Sequence, residues 1–244
     1  MYTNAIENYL KQHSYHHIHL KAVLFDMDGV LFNSMPNHAR AWNEAMKHYG
    51  MHLSCEEAYL HEGRTGASTI NIVSQRERGH DATPEEIERI YHTKTEIFNS
   101  YPKAERMPGA WEAIRQMKAD GLTIMVVTGS GQASLLERLN RNFPDTFRQE
   151  LMVTAYDVKH GKPSPEPYLM ALEKAGLHPN EAIVVENAPM GVHAGVAAGI
   201  FTVAVNTGPL PDRVLLDEGA NLLLPSMLAL SEQWEEFYKE LGEE

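Results

Sequence analysis

The stretch Ala22-Val23-Leu24-Phe25-Asp26-Met27-Asp28-Gly29-Val30 decides the fold. Four apolar residues in unbroken succession suit a short strand buried on both faces, because a strand with one wet face alternates apolar and polar residues. The run stops at two carboxylates one residue apart, and Gly29 supplies a tight turn. Such a pair either caps the turn or does chemistry at the end of the strand. Outward from this run, similar ones recur at Thr123–Val127, Leu151–Thr154, Ala182–Val185 and Phe201–Val205. Helical spacing separates them, marked by Leu135, Leu136 and Leu139, then by Tyr168, Leu169 and Leu172. This alternation predicts an α/β fold: a doubly wound, parallel, Rossmann-like sheet with its site beyond the carboxyl ends of the strands.

One interval breaks the alternation. Between Pro36 and Pro102 no run reads as a strand, and several amphipathic helical patterns follow one another. Pro36 and Pro84 stand where helices start. The chain therefore divides into a polar N-terminal extension (1–20), a catalytic core (21–36 and 104–244) and an inserted all-helical cap domain (37–103), whose two crossings would act as hinges.

The 244 residues carry a formal net charge of -12, which gives no electrostatic reason to hold nucleic acid or an anionic membrane. An anionic substrate would need local cations or a bound metal. The lone cysteine, Cys55, excludes an intrachain disulfide and suggests a reducing compartment. No run is long and apolar enough to span a membrane or to act as a signal peptide, so a cytoplasmic monomer is expected. His13, His16, His17 and His19 crowd the extension without a carboxylate or cysteine to complete a ligand set, and the extension reads as solvated, with a helix at Ala5–Lys11.

The ends of the runs supply the chemistry. Asp26 and Asp28 follow the first, Thr128-Gly129-Ser130-Gly131 the second, Lys162-Pro163 lies a few residues past the third, and Glu186-Asn187 closes the fourth. A carboxylate can attack phosphorus and carry the group as an acyl phosphate. A second carboxyl two residues on can protonate the leaving oxygen and later deprotonate the attacker. Hard oxygen donors suit Mg²⁺. Thr128, Gly129 and Ser130 can offer donors to phosphate oxygens, and Lys162 can neutralise transferring charge. Thr128 could instead cap the next helix, and Lys162 could be a surface lysine. Gly191, Gly195 and Gly199 read as close-packing positions.

In this order, Phe25-Asp26-Met27-Asp28-Gly29-Val30, Val127-Thr128-Gly129-Ser130, Lys162-Pro163 and Val185-Glu186-Asn187 resemble the four motifs of the haloacid dehalogenase-like phosphatase superfamily, and the early helical insert resembles its β-phosphoglucomutase-like branch. The resemblance implies Asp26 as nucleophile, Asp28 as general acid and base, Thr128 as phosphate binder and Lys162 as charge clamp. It implies a Mg²⁺ held by the Asp26 carboxylate, the Asp28 backbone carbonyl and the Glu186-Asn187 loop. Within the branch the chain is similar to inorganic pyrophosphatases of Bacteroides-type bacteria.

The insert should decide specificity. Lys94 shares a stripe with Ile87, Ile90, Tyr91 and Phe98, and His38 shares a face with Trp42, Ala45 and Tyr49. In the branch the lysine position faces the substrate and the histidine lies near the acid/base, where it could orient Asp28 or a phosphate; alone, each also fits an ordinary partly buried side chain. Related mutases carry a lysine where Glu62 stands and an arginine where Gly66 stands, and here only Arg64 remains, displaced. Relatives also carry a carboxylate where Asn187 stands, and Glu62 could restore it when the cap closes. These departures favour a hydrolase of pyrophosphate or a small phosphorylated substrate, with β-phosphoglucomutase as the alternative and an inactive binding protein of the same fold as a remote one.

Overall fold

A computed structural model describes residues 2–130 and 135–242; Gly131 of the expected phosphate loop lies outside them. Five strands form one parallel sheet: β1 (Ala22–Phe25), β2 (Thr123–Val126), β3 (Ala182–Glu186), β4 (Phe201–Val205) and β5 (Leu222–Leu224), in the spatial order β2-β1-β3-β4-β5. Helix α1 (Thr3–His13) precedes the sheet. Helices α2 (Met35–His48), α3 (Cys55–Leu60), α4 (Gly66–Arg78) and α5 (Pro84–Ser100) follow β1. The remaining described helices are α6 (Ala110–Ala119), α7 (Leu135–Asn142), α8 (Glu166–Ala175), α9 (Pro189–Ala197), α10 (Asp212–Asp217) and α11 (Met227–Gly242).

The unbroken apolar runs are buried on both faces, as parallel strands between helical layers must be. Val23, Phe25, Ile124, Val126, Ile183, Val185, Val203 and Val205 point into one cluster with α1, α6, α7 and α11. Ala22, Leu24, Met125, Val127, Ala182 and Val184 point into the other, against α8 and α9. Successive residues alternate between the two, the period-2 signature of a strand.

Two expectations are corrected. Leu151–Thr154 is not a strand. Leu151 closes a single 3-10 turn (Gln149–Leu151), and within the stretch only Val153 makes an isolated parallel bridge, to Val127. Residues 2–20 are not a wholly solvated extension. Tyr2 and Tyr9 are 1% exposed in the main core, and the Tyr9 hydroxyl donates to the Gly199 carbonyl at 2.9 Å. The periodicity of Tyr2, Ile6 and Tyr9 is that of an amphipathic helix, hidden among polar neighbours. Strand β5 has no counterpart among the runs read from the sequence.

Helices α2–α5 make the helical cap, with a core of their own around Met46, Leu53, Ile70, Val73 and Ile90. Thr83 caps α5 in a reciprocal capping box with Glu86, and Pro84 sits in the first turn. The crossings into and out of the cap pair with each other: Asn33 N–H donates to Glu105 O at 3.0 Å and Met107 N–H to Leu31 O at 2.9 Å.

Candidate active site

Register builds the site. Phe25 is level with Val126 on one side and Val185 on the other, so β1, β2 and β3 end together. The chain leaves β1 for β2 on one flank and later reaches β3 on the opposite flank, and the site occupies this topological switch point. Asp26, Thr128 and Glu186 are consequently neighbours although more than a hundred residues separate the first two.

Lys162 joins them. Its Nζ donates to Asp26 Oδ1 at 2.5 Å, to Glu186 Oε1 at 2.6 Å and to the Val127 carbonyl at 3.0 Å, and the residue is 4% exposed. It is therefore not a surface lysine. Burial alone would lower its pKa, but Asp26 and Glu186 overcome this and raise it, so the ammonium stays charged. One cation shared by two buried carboxylates leaves an excess negative charge. Burial, with Glu186 and Asp28 adding to it against the pull of Lys162, pushes Asp26 up to about 7. An excess charge of this kind is what a divalent cation relieves.

Glu186 is fully buried. Its Oε1 also accepts from the Tyr168 hydroxyl at 2.8 Å, and Oε2 accepts from the backbone N–H groups of Asn187 and Ala188 at 3.0 and 3.2 Å. These bonds use the acceptor capacity of a carboxylate. Glu186 thus anchors the loop and Lys162. Gly191 permits this packing: a Cβ there would lie 1.8 Å from Glu186 Oε1. Gly195 packs in the same way against Thr202, whereas Gly199, at φ +74°, ends the helix.

Asn187 turns toward the cap. Its Nδ2 donates to Glu62 Oε1 at 3.0 Å, and its Oδ1 is buried with no hydrogen-bond partner among the described residues. Burial, reinforced by Asp26, raises Glu62 well above the ordinary carboxylate range. Gly29, at φ +86°, makes the Asp28 turn possible, and any Cβ there would strike the Asn187 amide at 2.1 Å.

Asp28 meets the cap's cations. Ser34 Oγ donates to its Oδ1 at 2.5 Å, His38 Nε2 lies 3.5 Å from the same oxygen, and Lys94 Nζ is 2.8 Å from His38 Nδ1. Phe98 stacks on His38 with ring centroids 4.0 Å apart. Burial would raise the pKa of Asp28, yet His38, Ser34 and Arg138 reverse this and hold it below the usual range. Lys94 is 6% exposed, and its burial lowers it to about 8. Thr128 is buried, its Oγ1 accepting from Ser130 N–H at 3.0 Å. A cavity of about 300 Å³ lies between cap and core; Asp26, Asp28, Thr128, Gly129 and Ser130 line its floor and His38, Glu62, Arg64 and Lys94 its roof. Ser34, Tyr168 and Arg138 complete the site without having been singled out in the sequence. Each is a common residue on a helix or turn, and only tertiary contacts distinguish it.

The sequence profile described as haloacid dehalogenase-like hydrolase matches residues 23–205. The chain belongs to this family. Hexitol phosphatase A of Escherichia coli is 32% identical, over 76% of this chain and 83% of that protein. A phosphorylated carbohydrates phosphatase of Thermotoga maritima is 30% identical, over 84% of this chain and 94% of that protein. A solved structure of a candidate β-phosphoglucomutase from Bacteroides vulgatus is 67% identical, with a TM-score of 0.96, covering 99% of this chain and 98% of that one. The haloacid dehalogenase-like hydrolase is thus an enzyme of the β-phosphoglucomutase-like branch, a phosphatase or phosphomutase.

The residues present fit a hard divalent cation. Among the described residues no three His, Cys, Asp or Glu side chains form a ready-made metal cluster, and the donors implied here are of mixed kind. They are the Asp26 carboxylate, the Asp28 backbone carbonyl and the orphaned amide oxygen of Asn187, with Glu62 beside them.

Proposed function

We propose that this enzyme is a Mg²⁺-dependent phosphohydrolase that passes a phosphoryl group through an aspartyl phosphate on Asp26 to water, with inorganic pyrophosphate its leading substrate within a class of small phosphorylated compounds. The contact between Glu62 and Asn187 carries the reading: the cap meets the metal loop with an acid, where a mutase needs a cation for its second phosphate. Gly66 points the same way. A Cβ there would lie 2.3 Å from the Tyr91 ring, so the arginine a mutase carries would have to displace that ring.

The steps follow from the side chains. Lys162 holds Oδ1 of Asp26 and leaves the other carboxylate oxygen to attack phosphorus. A P–O bond to Asp26 forms as the bond to the leaving oxygen breaks, and Asp28 gives that oxygen its proton. Asp28 then takes a proton from water. The hydroxyl oxygen bonds to phosphorus, the acyl phosphate P–O bond breaks, and Asp26 is regenerated. In the resting site Asp28 is held ionised, the form a base needs. The negative charge of an arriving substrate raises its pKa and loads the proton that the first step spends. Thr128, the Gly129 N–H and the Ser130 hydroxyl hold phosphoryl oxygens, and His38 and Lys94 orient Asp28. Bound Mg²⁺ would supply neutralisation of charge on the phosphoryl oxygens and nucleophile, held by Asp26, the Asp28 carbonyl and Asn187 with Glu62 in support.

The similarity to the Bacteroides vulgatus candidate β-phosphoglucomutase favours a second reading, sugar-phosphate mutase. One assay separates the two. Incubation with pyrophosphate and, separately, with β-glucose 1-phosphate is expected to release phosphate from the former in proportion to turnover. Conversion of the latter to glucose 6-phosphate with little free phosphate would establish the mutase instead. No adduct of any phosphate donor or fluoride mimic on Asp26 would favour a binding protein over either enzyme.

A further inference from the structure

Arg138 is a half-buried arginine on the core side of the cavity, one turn into the described part of α7. Its guanidinium lies 3.9 Å over the ring of Phe32, and Phe32 is tied to the catalytic turn, accepting a hydrogen bond from Gly29 N–H at 2.8 Å. The guanidinium makes no hydrogen bond or ion pair with any described residue. Arg141, on the same helix but exposed, takes Glu137 at 3.0 Å. Arg138 differs from Arg141 in lining the cavity, where its N–H donors have no partner among the described residues. Stacking on Phe32 fixes the plane of the fork, and the open edge faces the cavity. Opposite, the Nε of Arg64 is buried without a partner among the described residues. Two guanidiniums with unspent donors on facing walls call for an anion between them.

The position of Arg138 says which part of a substrate it would meet. The transferring phosphoryl group must lie between Asp26 and Thr128. The leaving group lies beside Asp28, the residue that protonates it, and Phe32 carries Arg138 to the Asp28 side. Its field reaches Asp28, where it helps keep the carboxylate ionised.

We propose that Arg138 is the substrate-binding residue that reads charge on the leaving group, selecting compounds whose leaving group is itself anionic, such as a phosphate or carboxylate, over neutral sugar alcohols. This rests on the phosphoryl-transfer reading of the same cavity and adds a specificity residue to it. Together with Lys94 and Arg64 it gives the distal end of the cavity its positive charge.

The test compares binding of methylenediphosphonate and methylphosphonate by calorimetry in the presence of Mg²⁺, for the wild type, Arg138→Gln and Arg138→Lys. The diphosphonate places a second charge where the leaving group lies; methylphosphonate does not. Arg138→Gln is expected to weaken methylenediphosphonate by about 30-fold, the size of one charge-assisted pair, and methylphosphonate by less than about threefold. Arg138→Lys keeps the charge without the fork and should recover part of the loss. Equal weakening of both probes, or of neither, in the folded variants overturns the assignment, as does a wild type that fails to discriminate between them. Pyrophosphate turnover separates this from the hydrolase reading. A wild type that discriminates through Arg138 but leaves pyrophosphate intact sinks the substrate and keeps the residue. Arg138→Gln turning over pyrophosphate with an unchanged KM sinks the residue and keeps the hydrolase.

Discussion

Replacing Lys162 by methionine tests the central cluster most severely. The ammonium is 3% exposed at the side chain, and its carboxylate partners Asp26 and Glu186 are 11% and 1% exposed. Methionine has similar length and no charge, so the substitution leaves little cavity and isolates the electrostatic effect. Breaking a buried ion pair by removing one partner costs about 3–5 kcal/mol, because the remaining charge is left uncompensated. Here two carboxylates remain and face each other, which places the cost at the upper end. For a chain of this length about 5 kcal/mol lowers Tm by about 10–20 °C. Thermal unfolding followed by circular dichroism in the presence of a chelator reads this directly. Glu186→Gln added to Lys162→Met removes one of the two stranded charges, and the double variant should regain part of the loss. The kinetic counterpart is loss of aspartyl phosphate trapped on Asp26. A Tm within about 2 °C of wild type, or a double variant whose losses simply add, would refute the claim that Lys162 compensates both acids.

Four further outcomes follow from the same geometry. Mg²⁺ at a hundred times its Kd should stabilise the wild type by about 2.7 kcal/mol, and Asn187→Ala should lose most of this, read as Tm against Mg²⁺ concentration without any substrate. Gly191→Ala places a Cβ 1.8 Å from Glu186 Oε1 and should cost about 1–3 kcal/mol in urea unfolding together with most of the activity; wild-type behaviour would show that the anchor at Glu186 can move freely. Tyr9→Phe removes the bond to the Gly199 carbonyl and should cost about 1 kcal/mol, whereas a solvated N-terminal segment predicts none. Lys94 titrates at about 8 in the fold against an ordinary 10.5, so the unfolded chain holds its proton to higher pH. Stability should therefore rise from pH 8 toward 10.5 through this group, and the difference in unfolding free energy between wild type and Lys94→Met should carry that slope.

The core chemistry was legible in the sequence because it follows local rules. A buried parallel strand must be a continuous apolar run, and the site must lie where such runs end, so Asp26, Asp28 and Thr128 stood out by position, whereas Lys162 stood out only through its motif and its chemistry. The all-helical insert was visible from the loss of strand runs between the flanking prolines. Leu151–Thr154 misled because an apolar run is compatible with a strand, while only a pairing partner makes one, and Val153 alone finds it in Val127. Strand β5 was missed because Leu222–Leu224 is too short to stand out from a helical neighbourhood.

The run from Ala22 to Val30 and its counterparts determined the sheet, the inserted cap and the kind of chemistry, since periodicity and strand ends depend only on neighbours along the chain. Other features needed the tertiary structure. Glu186 anchors Lys162 and the loop after β3, Asn187 keeps an oxygen without a partner among the described residues beside Glu62, Gly66 lies against Tyr91, and Arg138 stacks on Phe32 at the cavity. Each is a contact between residues distant in sequence, created by the strand register and by the packing of cap on core, and no spacing along the chain encodes it.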